Sequence, residues 1–211
     1  TNAIVERKGP KLGIVVNKGH TDLISLMRKQ DQDLFDFLVG DRVEEIELTD
    51  LQDAERATET TTAITRLTAR GANRVVVCFD VDKATQYESQ FKRIAFDNYP
   101  RHLLGAVPML FASELAEDIS PSRRGWTALV NSFLHPAMES FLYNAENRLR
   151  EYRTKNPLLI FRNDGDASRV AKTIALKTYS SGPRGGMEGV KEFSKQYKLP
   201  NVVSMDIGGT T

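Results

Sequence analysis

Residues 74–79 read Arg-Val-Val-Val-Cys-Phe, and what flanks this run decides the fold. It is apolar without a polar-apolar alternation, as a strand covered on both faces should be. Before it, Leu51, Ala54, Ala57, Thr61, Ile64 and Leu67 step by three or four, the spacing of one helix face. Thr49 and Gln52 supply a Thr-x-x-Gln capping box for that helix, and Gly71 is placed to end it. After it, a helix is predicted from Ala84 to Phe96, then a third buried strand from Val107 to Phe111. Further upstream, Lys11–Val16 is a strand ended by Asn17-Lys18-Gly19, with a short helix from Thr21 that turns Leu23, Leu26 and Met27 inward. Val43–Leu48 alternates apolar and acidic residues and reads as an edge strand. Strands alternating with helices in this way predict an α/β layered fold with a mostly parallel sheet and flanking helices.

Downstream, Trp126, Leu129, Phe133, Leu134, Met138, Phe141, Leu142 and Leu149 form one apolar face of a long helix from Ser122 to about Tyr152. Pro136 inside it predicts a kink, or two helices meeting at His135. A strand at Pro157–Phe161, helices at Ala167–Leu176 and Glu188–Tyr197, and a last strand at Asn201–Ile207 complete the reading. The polar, proline-containing stretch Glu117–Ser122 suggests a boundary, dividing the chain into 1–118 and 119–211.

The 211 residues carry 29 Lys+Arg against 28 Asp+Glu, a net charge of +1, so a nucleic-acid partner is not indicated. The basic stretch Arg148–Arg153 contains Glu151 and reads as a solvated helix face. No apolar run approaches the roughly 20 residues that span a bilayer, so no membrane partner is expected. The single cysteine, Cys78, sits in an apolar run and is expected to be a buried, inert thiol in a reducing, cytoplasmic setting. The chain starts at Thr1 in what reads as mid-domain sequence, and is expected to lack its true N-terminus. His20, His102 and His135 lack metal-ligand spacing; His102, in a loop, has no assignable role.

Three segments carry possible chemistry. Asp206-Ile207-Gly208-Gly209-Thr210-Thr211 follows an apolar strand and brings a carboxylate, two unobstructed backbones and two hydroxyls to its end. Phosphate binding needs those parts, and a plain Gly-Gly hairpin has them too. Ser181-Gly182-Pro183-Arg184-Gly185-Gly186 precedes a helix expected near Met187; it is an anion site or a tight connection. Arg162-Asn163-Asp164-Gly165-Asp166 follows a strand, where α/β sheets bind ligands, and is also an ordinary turn sequence.

These segments in this order, together with Thr1–Gly9 (TNAIVERKG), resemble the hydantoinase A, 5-oxoprolinase and acetone carboxylase family over essentially the whole chain. Tyr99–Glu114 and Arg169–Thr173 look more like its acetone and acetophenone carboxylase branch. The resemblance implies an actin-like, sugar-kinase-like ATPase fold in which two Asp-x-Gly-Gly-Thr hairpins cradle nucleotide phosphates. Asp206–Thr211 would be the second hairpin, and the first would lie upstream of Thr1. It further implies an ATP- and Mg²⁺-dependent enzyme subunit that activates a small carbonyl substrate by phosphorylation, attack on the γ-phosphate coming from an enolate or amide oxygen. Other subunits or further copies would be its partners. Asp206 would orient Mg²⁺ through its water shell, Gly208 and Gly209 would approach the phosphates, and Thr210 and Thr211 would donate hydroxyls. Gly182, Gly185 and Gly186 would shape the nucleotide pocket, with Asn163 beside them. The family usually carries Asn-Gly-Gly where this chain has Asn163-Asp164-Gly165, which sets a negative charge against a phosphate contact. A ketone carboxylase subunit is the first expectation, a hydantoinase or 5-oxoprolinase that opens a cyclic amide the second, and a structural or assembly domain the non-enzymatic alternative. On this reading the isolated chain is inactive.

Overall fold

The computed structural model describes residues 2–19, 21–48, 53–100, 102–117 and 120–208. In chain order the elements are α1 (Asn2–Val5), β1 (Leu12–Asn17), α2 (Thr21–Gln30), α3 (Gln32–Leu38), β2 (Val43–Ile46), α4 (Asp53–Ala69), β3 (Arg74–Val77) and α5 (Ala84–Asn98). There follow β4 (Met109–Phe111), α6 (Ala112–Leu115), α7 (Pro121–Glu151), β5 (Leu159–Phe161), β6 (Ala167–Arg169) and α8 (Ser181–Gln196). They fall into two compact units, Pro10–Phe133 and Thr1–Gly9 with Leu134–Thr211.

The first unit is a four-stranded, wholly parallel sheet in the order β2-β1-β3-β4. Every residue of β1 is buried, which its central place requires and its unbroken apolar run permits. On one face Val15, Val75, Val77 and Phe79 pack with Ile64 and Leu67 of α4 and Phe91 and Ala95 of α5. On the other, Gly125 of α7 lies against Met27 and Cys78: a Cβ there would sit 3.0 Å from the Met27 sulfur. Phe35 of α3 meets Trp126 edge-to-face at 6.1 Å. β2 is an edge strand, as its alternating sequence predicts. α4 ends as expected at Gly71, whose φ of +85° lets its N–H reach the Thr68 carbonyl and Ala72 N–H reach that of Leu67. The capping box Thr49/Gln52 lies outside the described residues.

In the second unit three expectations are corrected. Ala167–Leu176 is not a helix: β6 pairs antiparallel with β5 (Leu159↔Arg169, Phe161↔Ala167), and two 3₁₀ turns, Val170–Lys172 and Ala175–Thr178, follow. The reversal at Gly165 (φ +88°) makes the difference, because it brings the chain back beside β5. α8 begins at Ser181 rather than near Met187. Residues 201–207 form no strand; Val203 is 97% and Ile207 85% exposed, and none of them has a ladder partner among the described residues. α7 is one helical element with Pro136 inside it, so two helices meeting at His135 do not form. Its basic stretch is exposed and pairs with acids of its own helix (Arg148–Glu151, Arg150–Glu146), as its mixed charge predicts.

Candidate functional site

In a parallel sheet of order β2-β1-β3-β4 the topological switch point lies between the carboxyl ends of β1 and β3, where such folds hold ligands. Here the chain's own side chains fill that edge. Asn17 at the end of β1 is buried and its Oδ1 accepts from Asp80 N–H at 2.7 Å. Arg124 donates to the Phe79 carbonyl at 3.0 Å. Glu88 of α5, 1% exposed, accepts from Phe79 N–H at 3.2 Å, Ser113 N–H at 2.9 Å and Ser113 Oγ at 2.6 Å. One carboxylate thus ties the ends of β3 and β4 together. Burial pushes its pKa up, and the bonds from Ser113 and Phe79, with Arg124 nearby, only partly oppose that. Sequence reading missed Glu88, because one acid in the surface-patterned stretch Tyr87-Glu88-Ser89-Gln90 carries no local sign of burial. Cys78 is wholly buried, and burial, reinforced by the charge of Glu88, pushes its thiol up to about 12, so it is an unreactive core residue.

The second unit joins two of the three sequence-predicted segments. The turn after β5 is closed by Arg162 N–H to the Asp166 carbonyl at 2.8 Å and Gly165 N–H to the Arg162 carbonyl at 3.0 Å. It rests on the first turns of α8: a Cβ on Gly165 would lie 3.0 Å from an Arg184 guanidinium nitrogen, and one on Gly185 would lie 3.4 Å from the Phe161 ring. Gly182 and Gly186 have nothing within 4 Å of where a Cβ would be, so their backbones are open to close approach. Asn163 is engaged on the other side of the turn, its backbone N–H donating to the Lys177 carbonyl (2.7 Å) and its Nδ2 to the Leu176 carbonyl (3.1 Å).

The acids of the turn are neutralised in place. Asp164 meets Arg162 at 3.2 Å and Lys177 at 3.1 Å, and Arg162 also meets Asp166 at 3.1 Å. Partial desolvation pushes the Asp164 carboxyl up, but the Lys177 bond, the Asp166 N–H and Arg162 outweigh it and hold it below the ordinary range. Glu188 is held low as well, first by its bond from Lys191 and then by Arg184. The charge that Asp164 brings to the turn is therefore balanced by neighbours.

Beside the start of α8 runs an apolar groove of about 550 Å³, lined by Met138 and Phe141 of α7, Leu159 and Phe161 of β5, and Thr178 and Ser181 at its rim. That volume lies within the range of small-molecule sites, mostly apolar walls with a few polar groups. Asp206 and Gly208 are exposed and outside any regular element; Gly209, Thr210 and Thr211 lie outside the described residues. Among the described residues no three His, Cys, Asp or Glu side chains gather as a metal site, and no helix is long and apolar enough to cross a membrane. His102 is exposed, and His135 lies on α7 with Nδ1 3.7 Å from Glu139.

The family model for the hydantoinase/oxoprolinase N-terminal region matches residues 1–95, and that for hydantoinase/oxoprolinase matches 124–211. The acetophenone carboxylase gamma subunit of Aromatoleum aromaticum is 24% identical over 237 residues, covering 100% of this chain and 32% of that protein. 5-Oxoprolinase 1 of Arabidopsis thaliana is 25% identical over 239 residues, covering 100% of this chain and 19% of its own length. The chain thus spans a third or less of the curated relatives it matches. Among solved structures, nucleotide-free acetone carboxylase superposes on 99% of this chain and 32% of its own, with a TM-score of 0.81 at 19% identity; the fold is shared.

Proposed function

This chain belongs to the hydantoinase/oxoprolinase family, and on that premise we propose that it is part of an ATP-dependent enzyme that activates a small carbonyl substrate. The observation that carries the reading is the meeting of the 163–166 turn, the glycine-rich start of α8 and the adjoining groove in one place.

These residues fit a nucleotide in kind. The 16-residue α8 presents the positive end of its dipole at Ser181, and open space stands over Gly182 and Gly186. Gly182, Gly185 and Gly186 would take the phosphate backbone, and the groove would take the apolar face of the bound molecule. Asn163 would act through the turn rather than by its side-chain N–H₂, which already serves Leu176. Asp206 would hold the Mg²⁺ water shell, while Gly208 and Gly209 give the phosphates close approach and Thr210 and Thr211 donate. ATP supplies the activated phosphoryl group; this chain supplies position and fixed dipoles, which account for most catalysis of phosphoryl transfer. The buried single thiol suits a reducing cytoplasm.

A ketone carboxylase subunit is the preferred identity, supported by alignment to the acetophenone carboxylase gamma subunit over the whole chain; other subunits would complete it. Opening of a cyclic amide is the second reading, kept by the equally complete alignment to 5-oxoprolinase 1. The test is Asp206→Asn in the full-length protein. Substrate-stimulated ATP hydrolysis should fall by at least 100-fold, on the order of one lost charge contact at a transferring phosphoryl group, with the circular dichroism spectrum unchanged. Undiminished hydrolysis removes Asp206 from the site, and a panel of ketones and cyclic amides separates the two substrate readings.

A further inference from the structure

Asp164 and Asp166, the acids of the 163–166 turn, are taken up by Arg162 and Lys177, so Arg184 is not needed to neutralise that turn. Its ion pair is with Glu188, one helical turn along its own helix, at 2.8 Å, and Lys191 steadies the same carboxylate at 3.0 Å. What Arg184 adds is contact. Tethered by Glu188, its guanidinium lies over Gly165, with Nη2 and Nε 3.0 and 3.2 Å from the position a Cβ would take. Position 165 disfavours a side chain by its φ of +88°, and a Cβ there would press on the guanidinium and make it shift by a few tenths of an ångström. The Nε–H of Arg184 is buried with no acceptor among the described residues. With no bond from this nitrogen to hold it, the guanidinium keeps its place through the Glu188 pair and the contact with Gly165.

We propose that Arg184 is a positioning residue of this site, fastening the Asn163–Asp166 turn to the first turns of α8 so that both face the nucleotide as one body. Glu188 sets the guanidinium's place and Gly165 supplies the flat surface it covers. The backbone N–H groups of the turn and of α8 are then fixed relative to one another before ligand arrives, which lowers the ordering cost of binding. This rests on the nucleotide reading above, and Arg184 itself touches the turn rather than the reacting atoms.

The test uses the full-length protein with Arg184→Ala, Arg184→Lys and Glu188→Gln. Hydrogen exchange of the Asn163 and Gly165 amides is read without nucleotide, and binding of a non-hydrolysable ATP analogue by calorimetry. In Arg184→Ala both amides should exchange at least tenfold faster and analogue affinity should fall about tenfold, while kcat at saturating ATP changes less than twofold. Arg184→Lys keeps the charge but not the planar fork and should rescue neither; Glu188→Gln should loosen both partway. Unchanged exchange in Arg184→Ala overturns the fastening. Faster exchange with unchanged affinity makes the contact merely structural and also overturns the proposal. If the wild-type protein binds no analogue while the exchange change is present, the nucleotide reading fails instead and takes the positioning role with it. Should Arg184→Ala not fold, Glu188→Gln decides by the same two readouts.

Discussion

Glu88 gives the sharpest quantitative test of how the parallel sheet is held. Replacing it by alanine strands two backbone donors, Phe79 N–H and Ser113 N–H, while the Ser113 hydroxyl is free to turn away. At about 1–3 kcal/mol for each orphaned donor the gross cost is about 2–6 kcal/mol. The buried carboxylate's own desolvation, visible in its raised pKa, returns part of this and brings the expected loss to about 2–4 kcal/mol. Glutamine keeps one acceptor and turns an N–H₂ toward a donor, so about 1–2 kcal/mol should be lost. Trp126, the single tryptophan, lies in the same unit, and its fluorescence during urea unfolding reports the transition. The pH dependence adds a second constraint. A carboxyl whose folded pKa is raised favours the fold below its ordinary pKa, and that contribution disappears as pH rises through the folded value. The margin of wild type over Glu88→Gln should therefore widen as the solution is acidified from neutrality. A Glu88→Ala variant within 0.5 kcal/mol of wild type, or a margin that narrows toward acid, refutes the reasoning.

Cys78, its thiol pushed up to about 12, should resist iodoacetamide in the native chain at pH 8 and react fully once unfolded in urea; stoichiometric labelling within minutes under native conditions contradicts its burial. Gly71→Ala meets nothing within 4 Å, so its cost is backbone alone, about 1–2 kcal/mol for holding an L-residue at φ +85°, read as a lower urea midpoint with unchanged slope.

The parallel sheet was legible in most of its strands; the exception is Val107–Phe111, expected to be buried, where β4 is an edge strand with only Phe111 buried. Val75, Val76 and Val77 are apolar on both faces and become central; Val43–Ile46 alternates and becomes an edge. Gly71 announced the end of α4 because only a left-handed residue closes that hydrogen-bond pattern without strain. What closes the carboxyl edge was not legible. Glu88 and Ser113 are 25 residues apart, and neither pattern nor propensity records that α5 turns an acid toward two strand ends.

At the candidate site the residues were legible and their conformation was not, for a single physical reason. Gly182, Pro183, Gly185 and Gly186 each lower helix propensity, so the stretch reads as a loop. Yet a helix's first turn has no N–H partners to lose: Pro183 needs no donor there, and Arg184 N–H makes an early helical bond, to the Ser180 carbonyl at 3.3 Å. Past that turn, propensity is overridden by contacts beyond the local sequence, Gly185 on Phe161 and Arg184 on Gly165, together with the Arg184–Glu188–Lys191 ion pairs along the helix. Of these positions only 165 calls for glycine, by its φ of +88°; a Cβ on Gly185 would meet the Phe161 ring at 3.4 Å, an ordinary contact. The glycines that weaken the helix locally leave its first turns open, Gly182 and Gly186 to empty space and Gly185 to the Phe161 ring, while the turn's own Gly165 lies under Arg184. A stretch chosen for helix stability alone would not carry three glycines in its first two turns, which is why the local sequence reads as a loop where the structure has a helix.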